Sequence, residues 1–213
     1  MTLGWSSPAD RPTVTVLLRH GDTQLSPEHR FSGRCDLPLS ADGTRQAKAA
    51  AVRLAAGARI DAVVSSPLRR ATATAAIAAG ELGLSAATDD DLRETDFGEW
   101  EGFTLAEIQE RWPAAVTAWQ RDPAQAPPGG ESFAAAARRV DRACDRLLAR
   151  HQGQTVLVVS HITPIKLLLC RALGAPLTAL YRLYLGSACI SEIQWDGPEF
   201  AAIHRVNDTS HLT

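Results

Sequence analysis

Lysine is nearly missing from this chain: of its 22 lysine and arginine residues, only Lys48 and Lys166 are lysines. Charge of one sign is missing too, with a formal net charge of −2. A chain this neutral is not built around a nucleic-acid backbone or an anionic membrane. Any affinity for anions must come from a few placed cations. Arginine suits that task, because its planar fork offers bidentate donors to a phosphate. The alanine-rich composition nevertheless marks most surface arginines as a compositional bias. The four cysteines, Cys35, Cys144, Cys170 and Cys189, form no C-x-x-C pair, so neither a metal site nor a disulfide framework is supported. A reducing cytoplasm is the expected setting. No run approaches the roughly 18 apolar residues of a membrane helix. Met1–Pro12 is polar, holds two prolines and lacks the apolar stretch of a secretory leader. It reads as a flexible tail or linker ahead of one domain over residues 13–213.

What is present is enough apolar residue, 45% of 213 positions, for a sizeable core. The β-branched runs Thr13–Leu18, Asp61–Ser65 and Thr155–Ser160 read as buried strands. Ser40–Ala56 reads as a helix capped by Ser40. Pro67 sits near the first turn of a second helix reaching about Ala79, and Ala86–Asp91 reads as a short strand. Thr104–Trp112 and Ala114–Gln120 are short helical patterns carrying aromatics. After the Pro/Gly-rich loop Asp122–Gly130 comes a long amphipathic helix, Glu131–His151. Pro164–Leu173 is helical, and Cys189–Trp195 with Phe200–Val206 suggests a terminal hairpin around Asp196-Gly197. The hairpin offers an edge for pairing into a homodimer. Strands alternating with helices predict an α/β three-layer sandwich. Its central sheet is mostly parallel and flanked by helices, with a small helical cap over about residues 100–132.

In such sheets ligands bind beyond the carboxyl ends of the strands. Three strands end in reactive residues: Arg19-His20, Ser65 leading to Arg69 and Arg70, and His161. A histidine at a strand tip can have one ring nitrogen pinned by a backbone carbonyl while the other faces outward. Neutral imidazole is then a nucleophile toward phosphorus, and Arg19 can neutralise phosphoryl oxygens. Taken alone, His20 reads equally well as a capping residue. A second histidine at another tip changes that balance. A metal site is the rival, but no H-x-H, H-E-x-x-H or carboxylate cluster at ligand spacing supports it. Arg69 and Arg70 are about 100° apart on their helix, so only one of them faces the site. Expelling an alkoxide from phosphorus also needs a proton donor. The residues alone leave open which acid of Glu94, Asp96, Glu99 and Glu101 provides it.

Four ordered motifs resemble the histidine phosphatase superfamily, also called the phosphoglycerate-mutase-like fold. They are Arg19-His20-Gly21, the S-S-P-L-x-R-A segment Ser65–Ala71, L-x-E-x-x-x-G beginning at Leu92, and V-V-S-H ending at His161. The resemblance implies His20 as nucleophile, Glu94 as acid, and Arg19, Arg70 and His161 as the phosphoryl clamp. Thr23, Ser26, Ser32 and Gly33 are implied around the phosphate. Two positions depart from the pattern: Asp22 stands for the usual Glu or Gln, and Ser26 for the usual Asn.

Glu94–Gly102, Pro128–Phe133 and Ser160–Lys166 look most like the α-ribazole-phosphate phosphatase and acid-phosphatase branch. Within it they resemble the phosphatase domain fused behind a ribonuclease H domain in some actinobacterial proteins. The expected activity is a phosphomonoesterase acting on small phosphate esters through phosphohistidine, without metal or other cofactor. The same site serves mutases, which need a larger cover than the Glu94–His161 interval provides. A non-catalytic phosphate-binding module should lack one of the four central residues, and all are present. In the small cap, Phe103, Trp112 and Trp119 are expected to line or support the pocket.

Overall fold

The computed structural model describes residues 11–57, 59–197 and 200–212. Of the expected tail, only residues 11 and 12 fall among them. Six strands form one sheet: β1 (Thr13–Arg19), β2 (Ala62–Ser65), β3 (Ala86–Thr88), β4 (Thr155–Ser160), β5 (Ile190–Trp195) and β6 (Ala201–Asp208). Their order is β3-β2-β4-β1-β5-β6. The first four run parallel, while β5 pairs antiparallel with β1 and β6 antiparallel with β5.

Both faces of the sheet are covered, which is why the central strands read as unbroken apolar runs instead of alternating ones. The pleat still sorts the side chains. Val16, Leu18, Leu157 and Val159 pack on one face with α1 (Ala41–Ala55) and α2 (Arg69–Leu82). Leu17, Val156 and Val158 pack on the other with α5 (Phe133–Arg150) and α6 (Ile162–Ala172). The alanine bias has a use here: Ala71, Ala75 and Ala78 are fully buried on α2, and small side chains let that helix lie close to the sheet. Between β3 and α5 lie the two short helices α3 (Leu105–Arg111) and α4 (Pro113–Arg121). Thr104 starts α3 with a reciprocal capping box to Glu107.

Several boundaries differ from the sequence reading, each for a local reason. The strand expected over Ala86–Asp91 stops at Thr88. Asp89 then accepts a hydrogen bond from the Asp91 amide and caps a single 3-10 turn, as short acids do. Near Pro67, Leu68 remains extended and α2 begins at Arg69. That helix runs past Ala79 to Leu82 because Gly80 is tolerated within it. Gly83, at φ 66°, stops it in the left-handed conformation favourable to glycine. Glu131 lies outside α5, whose cap is Ser132. Conversely, α6 begins two residues before Pro164, directly after His161.

Candidate active site

The tips of β1, β2 and β4 meet at one edge of the sheet. The ladder continues one residue past each strand: the His20 amide donates to the Ser160 carbonyl, and the Ser66 amide to that of Val159. Backbone pairing therefore fixes the relative positions of His20, Ser66 and His161. The loop after His20 is clamped by close glycine contacts. A Cβ on Gly21 would meet the Gly43 carbonyl oxygen at 2.2 Å, and one on Gly43 would meet that of Asp22 at 2.0 Å.

His20 is 6% exposed. Its Nδ1 lies 2.7 Å from the Gly21 carbonyl oxygen. That oxygen can only accept, so Nδ1 carries the proton and Nε2 keeps its lone pair. Burial, followed by the charges of Arg19 and Arg70, pushes the imidazole pKa well below its usual 6.5. The ring is therefore neutral near pH 7. In the unliganded site Arg70 Nε donates to His20 Nε2 at 3.2 Å.

Arg70 is 1% exposed, whereas Arg69 points outward. The carbonyls of the Phe31–Asp36 loop hold the Arg70 fork. Nη1 donates to Cys35 at 2.8 Å, and Nη2 to Ser32 and Gly33 at 3.0 Å each. Ser32 and Gly33 thus reach the site through backbone oxygens that position the arginine. The Ser32 hydroxyl is buried without a partner. Gly33 has no room for a side chain, since a Cβ there would lie 2.2 Å from the Thr95 carbonyl oxygen. Glu101 anchors the loop by accepting from the amides of Arg34 and Cys35 at 2.6 and 2.8 Å. The Ser26 hydroxyl accepts from the Thr23 amide at 2.9 Å and lies 3.2 Å from the Thr23 hydroxyl. It closes a turn that presents Thr23 to the cavity.

Glu94 is the buried member of the four loop acids. Its Oε1 accepts from the Thr95 amide at 2.8 Å and from the Thr163 amide at 3.3 Å. Thr163 lies in the first turn of α6, whose free amides help hold the Glu94 side chain in place. Asp96 accepts from the Gly98 amide and pairs with Arg34. Glu99 is exposed. His161 is fully buried, with its ring centroid 5.0 Å from that of His20. Burial, then His20 and the neighbouring arginines, hold its pKa well below 6.5.

These groups adjoin a cavity of about 740 Å³. Its wall includes the polar Arg19, His20, Thr23, Ser32 and Glu94 and the apolar or aromatic Phe31, Phe97, Trp119, Phe133, Leu180 and Tyr184. Arg70 and His161 pack directly against the His20 ring, Arg70 through its Nε and His161 edge-on. Of the three cap aromatics, only Trp119 reaches the cavity. Phe103 and Trp112 pack on each other, with Arg111 over the Phe103 ring. The sequence reading missed Lys166, which is half-buried on the cavity wall near Glu94. Also missed was Asp22, which accepts from the Ser187 hydroxyl at 2.5 Å and from Gln46 Nε2 at 2.7 Å. Arg139 was the third omission. It donates to the carbonyls of Asp91, Arg93 and Glu94 while pairing with both oxygens of Glu131.

The sequence profile described as histidine phosphatase superfamily (branch 1) matches residues 15–209. The chain belongs to that superfamily. It is 49% identical over 209 residues to a bifunctional protein of Mycobacterium tuberculosis, covering 98% of this chain and 57% of that one. This chain therefore spans little more than half the length of that relative. It is 33% identical to the adenosylcobalamin/α-ribazole phosphatase of Escherichia coli, covering 90% of this chain and 94% of that one. Among solved structures, a mycobacterial glucosyl-3-phosphoglycerate phosphatase superposes with a TM-score of 0.84 at 32% identity. That match covers 93% of this chain and all of the other.

Proposed function

We propose that this histidine phosphatase domain is a metal-independent phosphomonoesterase that works through a phosphohistidine. The observation that carries the reading is the state of His20: a neutral, buried imidazole with Nδ1–H pinned on Gly21 and the Nε2 lone pair free of a proton. Nε2 attacks phosphorus in line, forming the N–P bond as the ester P–O bond breaks. Arg19, Arg70 and His161 stabilise the equatorial oxygens. To do so, Arg70 Nε exchanges the His20 lone pair for a phosphoryl oxygen. Glu94 delivers a proton to the leaving oxygen. Water then attacks phospho-His20 with Glu94 as base, releasing inorganic phosphate and restoring the imidazole.

Helices α3 and α4 with the following Pro/Gly loop serve as the cap. The aromatic side chains on the cavity wall receive the leaving group, which suits esters of the acid-phosphatase or α-ribazole-phosphate type. The sequence resemblance carries a further proposal, a ribonuclease H-type domain fused ahead of this one in the native polypeptide; the longer, bifunctional mycobacterial relative is compatible with it. A reading frame with no coding sequence upstream of Met1 contradicts it. The catalytic test is hydrolysis of a panel of phosphomonoesters by wild type and His20→Ala, with EDTA present. The panel includes p-nitrophenyl phosphate, α-ribazole phosphate, mononucleotides and phosphoglycerates. Turnover that persists in EDTA and vanishes in the variant is expected. Isomerisation of 3-phosphoglycerate without hydrolysis would instead assign a mutase, and a requirement for Mg²⁺ would overturn the metal-free route.

A further inference from the structure

We propose that Ser66 is a positioning residue that sets the tautomer of His161, so that Nδ1–H becomes a donor to the phosphoryl group. The inference rests on the phosphotransfer reading above and extends it to a residue outside the clamp. His161 Nε2 lies 2.7 Å from the Ser66 hydroxyl, and both residues are fully buried. A ring nitrogen and a hydroxyl can each donate or accept, so the distance alone does not choose a direction.

The surroundings choose it. The Leu68 amide donates to the same Ser66 oxygen at 3.3 Å. If His161 Nε2–H also donated there, the Ser66 proton would have no acceptor and His161 Nδ1 would be a second unmatched group. With the Ser66 hydroxyl donating to Nε2, both bonds are satisfied and a single orphan remains, Nδ1–H. His161 Nδ1 is indeed buried without a partner. Buried polar groups are rarely left unmatched, and an exception beside a nucleophile is explained by a ligand that completes the pairing. The ring stands edge-on to His20 at 5.0 Å, and its depressed pKa keeps it neutral. A neutral imidazole has only one N–H, so the tautomer decides whether it can donate toward His20 at all. Ser66 thus does for His161 what the Gly21 carbonyl does for His20, but with the opposite polarity of contact.

The test is a long-range proton–nitrogen NMR spectrum of the isotope-labelled, unliganded protein, with His161 assigned by its loss in His161→Asn. The same labelled protein is then titrated with inorganic phosphate. Wild type is expected to show a protonated Nδ1 on His161. Ser66→Ala is expected to lose that fixed tautomer and to bind phosphate about 10- to 100-fold more weakly. That range is taken from the loss of the outer partner that orients a metal-ligating imidazole, the same kind of contact. A protonated Nε2 in wild type would overturn the assignment, even if the variant failed to fold. So would a folded Ser66→Ala protein that kept both the tautomer and the phosphate affinity. A wild type that hydrolysed no ester would sink the proposed function instead, leaving the spectrum to decide the tautomer.

Discussion

At the scale of single residues, the site assigns different tasks to groups that look alike in sequence. Two histidines at strand tips have opposite ring nitrogens engaged. His20 is pinned through Nδ1 on a carbonyl, and His161 is engaged through Nε2 on a hydroxyl. Among four acids in one loop, Glu94 faces the cavity while Glu101 anchors the loop that holds Arg70. In the proposed mechanism Glu94 matters most when the leaving oxygen is strongly basic. Glu94→Gln should therefore reduce kcat for an alkyl phosphate by about 10²–10⁴-fold. The loss in the first step should be much smaller for p-nitrophenyl phosphate, whose leaving group needs no proton. Pre-steady-state rates on both substrates check this, and equal losses would remove Glu94 from the role of acid.

The residues of the site were legible where a motif coincided with the end of a buried run, as at His20, Arg70 and His161. The strand reading put all three at one edge, and backbone pairing shows why. Legibility failed where function passes through carbonyls or through distant partners. Ser32 lines the cavity, and the carbonyl oxygens of Ser32 and Gly33 also cradle Arg70, a contact their side chains do not announce. Asp22 departs from the superfamily's usual residue, and its partner Ser187 lies 165 positions away, a separation that no local pattern encodes.

At the scale of elements, α5 does more than cover the sheet. Arg139, 7% exposed, reaches from it to the carbonyls of Asp91, Arg93 and Glu94. The sequence marked an Arg-rich face on this helix without separating its one buried arginine from its exposed ones. Arg139→Met would leave those oxygens and Glu131 without their donor. Removing one partner of a buried ion pair commonly costs about 3–5 kcal/mol. Because Glu131 is partly exposed, about 3 kcal/mol is expected in urea denaturation. A fall in kcat should accompany it as the Glu94 backbone loosens. A loss below about 1 kcal/mol, the worth of a surface pair, with unchanged kcat would show that α5 does not position the acid.

At the scale of the whole molecule, folding buries two imidazoles beside a set of guanidinium groups. Both histidines have pKa values held well below 6.5 by burial and by neighbouring charge. In the unfolded chain they titrate near 6.5, so below that pH the unfolded state binds more protons. The stability that comes from keeping these rings neutral is complete above pH 6.5. It falls as pH drops through the window below 6.5 toward the folded pKa values. Each ring contributes a slope of at most about 1.4 kcal/mol per pH unit. Urea midpoints of unliganded protein at pH 7.5, 6.5 and 5.5 should decline across the lower interval, and less so in His161→Asn. A flat profile would mean that the rings titrate in the folded protein as they do in the unfolded chain.

The same burial makes His20 a nucleophile, so the most direct test is to catch the phosphoryl group on it. Protein mixed with a radiolabelled phosphomonoester and quenched in alkali should carry acid-labile, base-stable label, located on the His20 peptide and absent from His20→Ala. Rapid turnover with no labelled protein at any quench time, or an acid-stable label on another residue, would contradict the account.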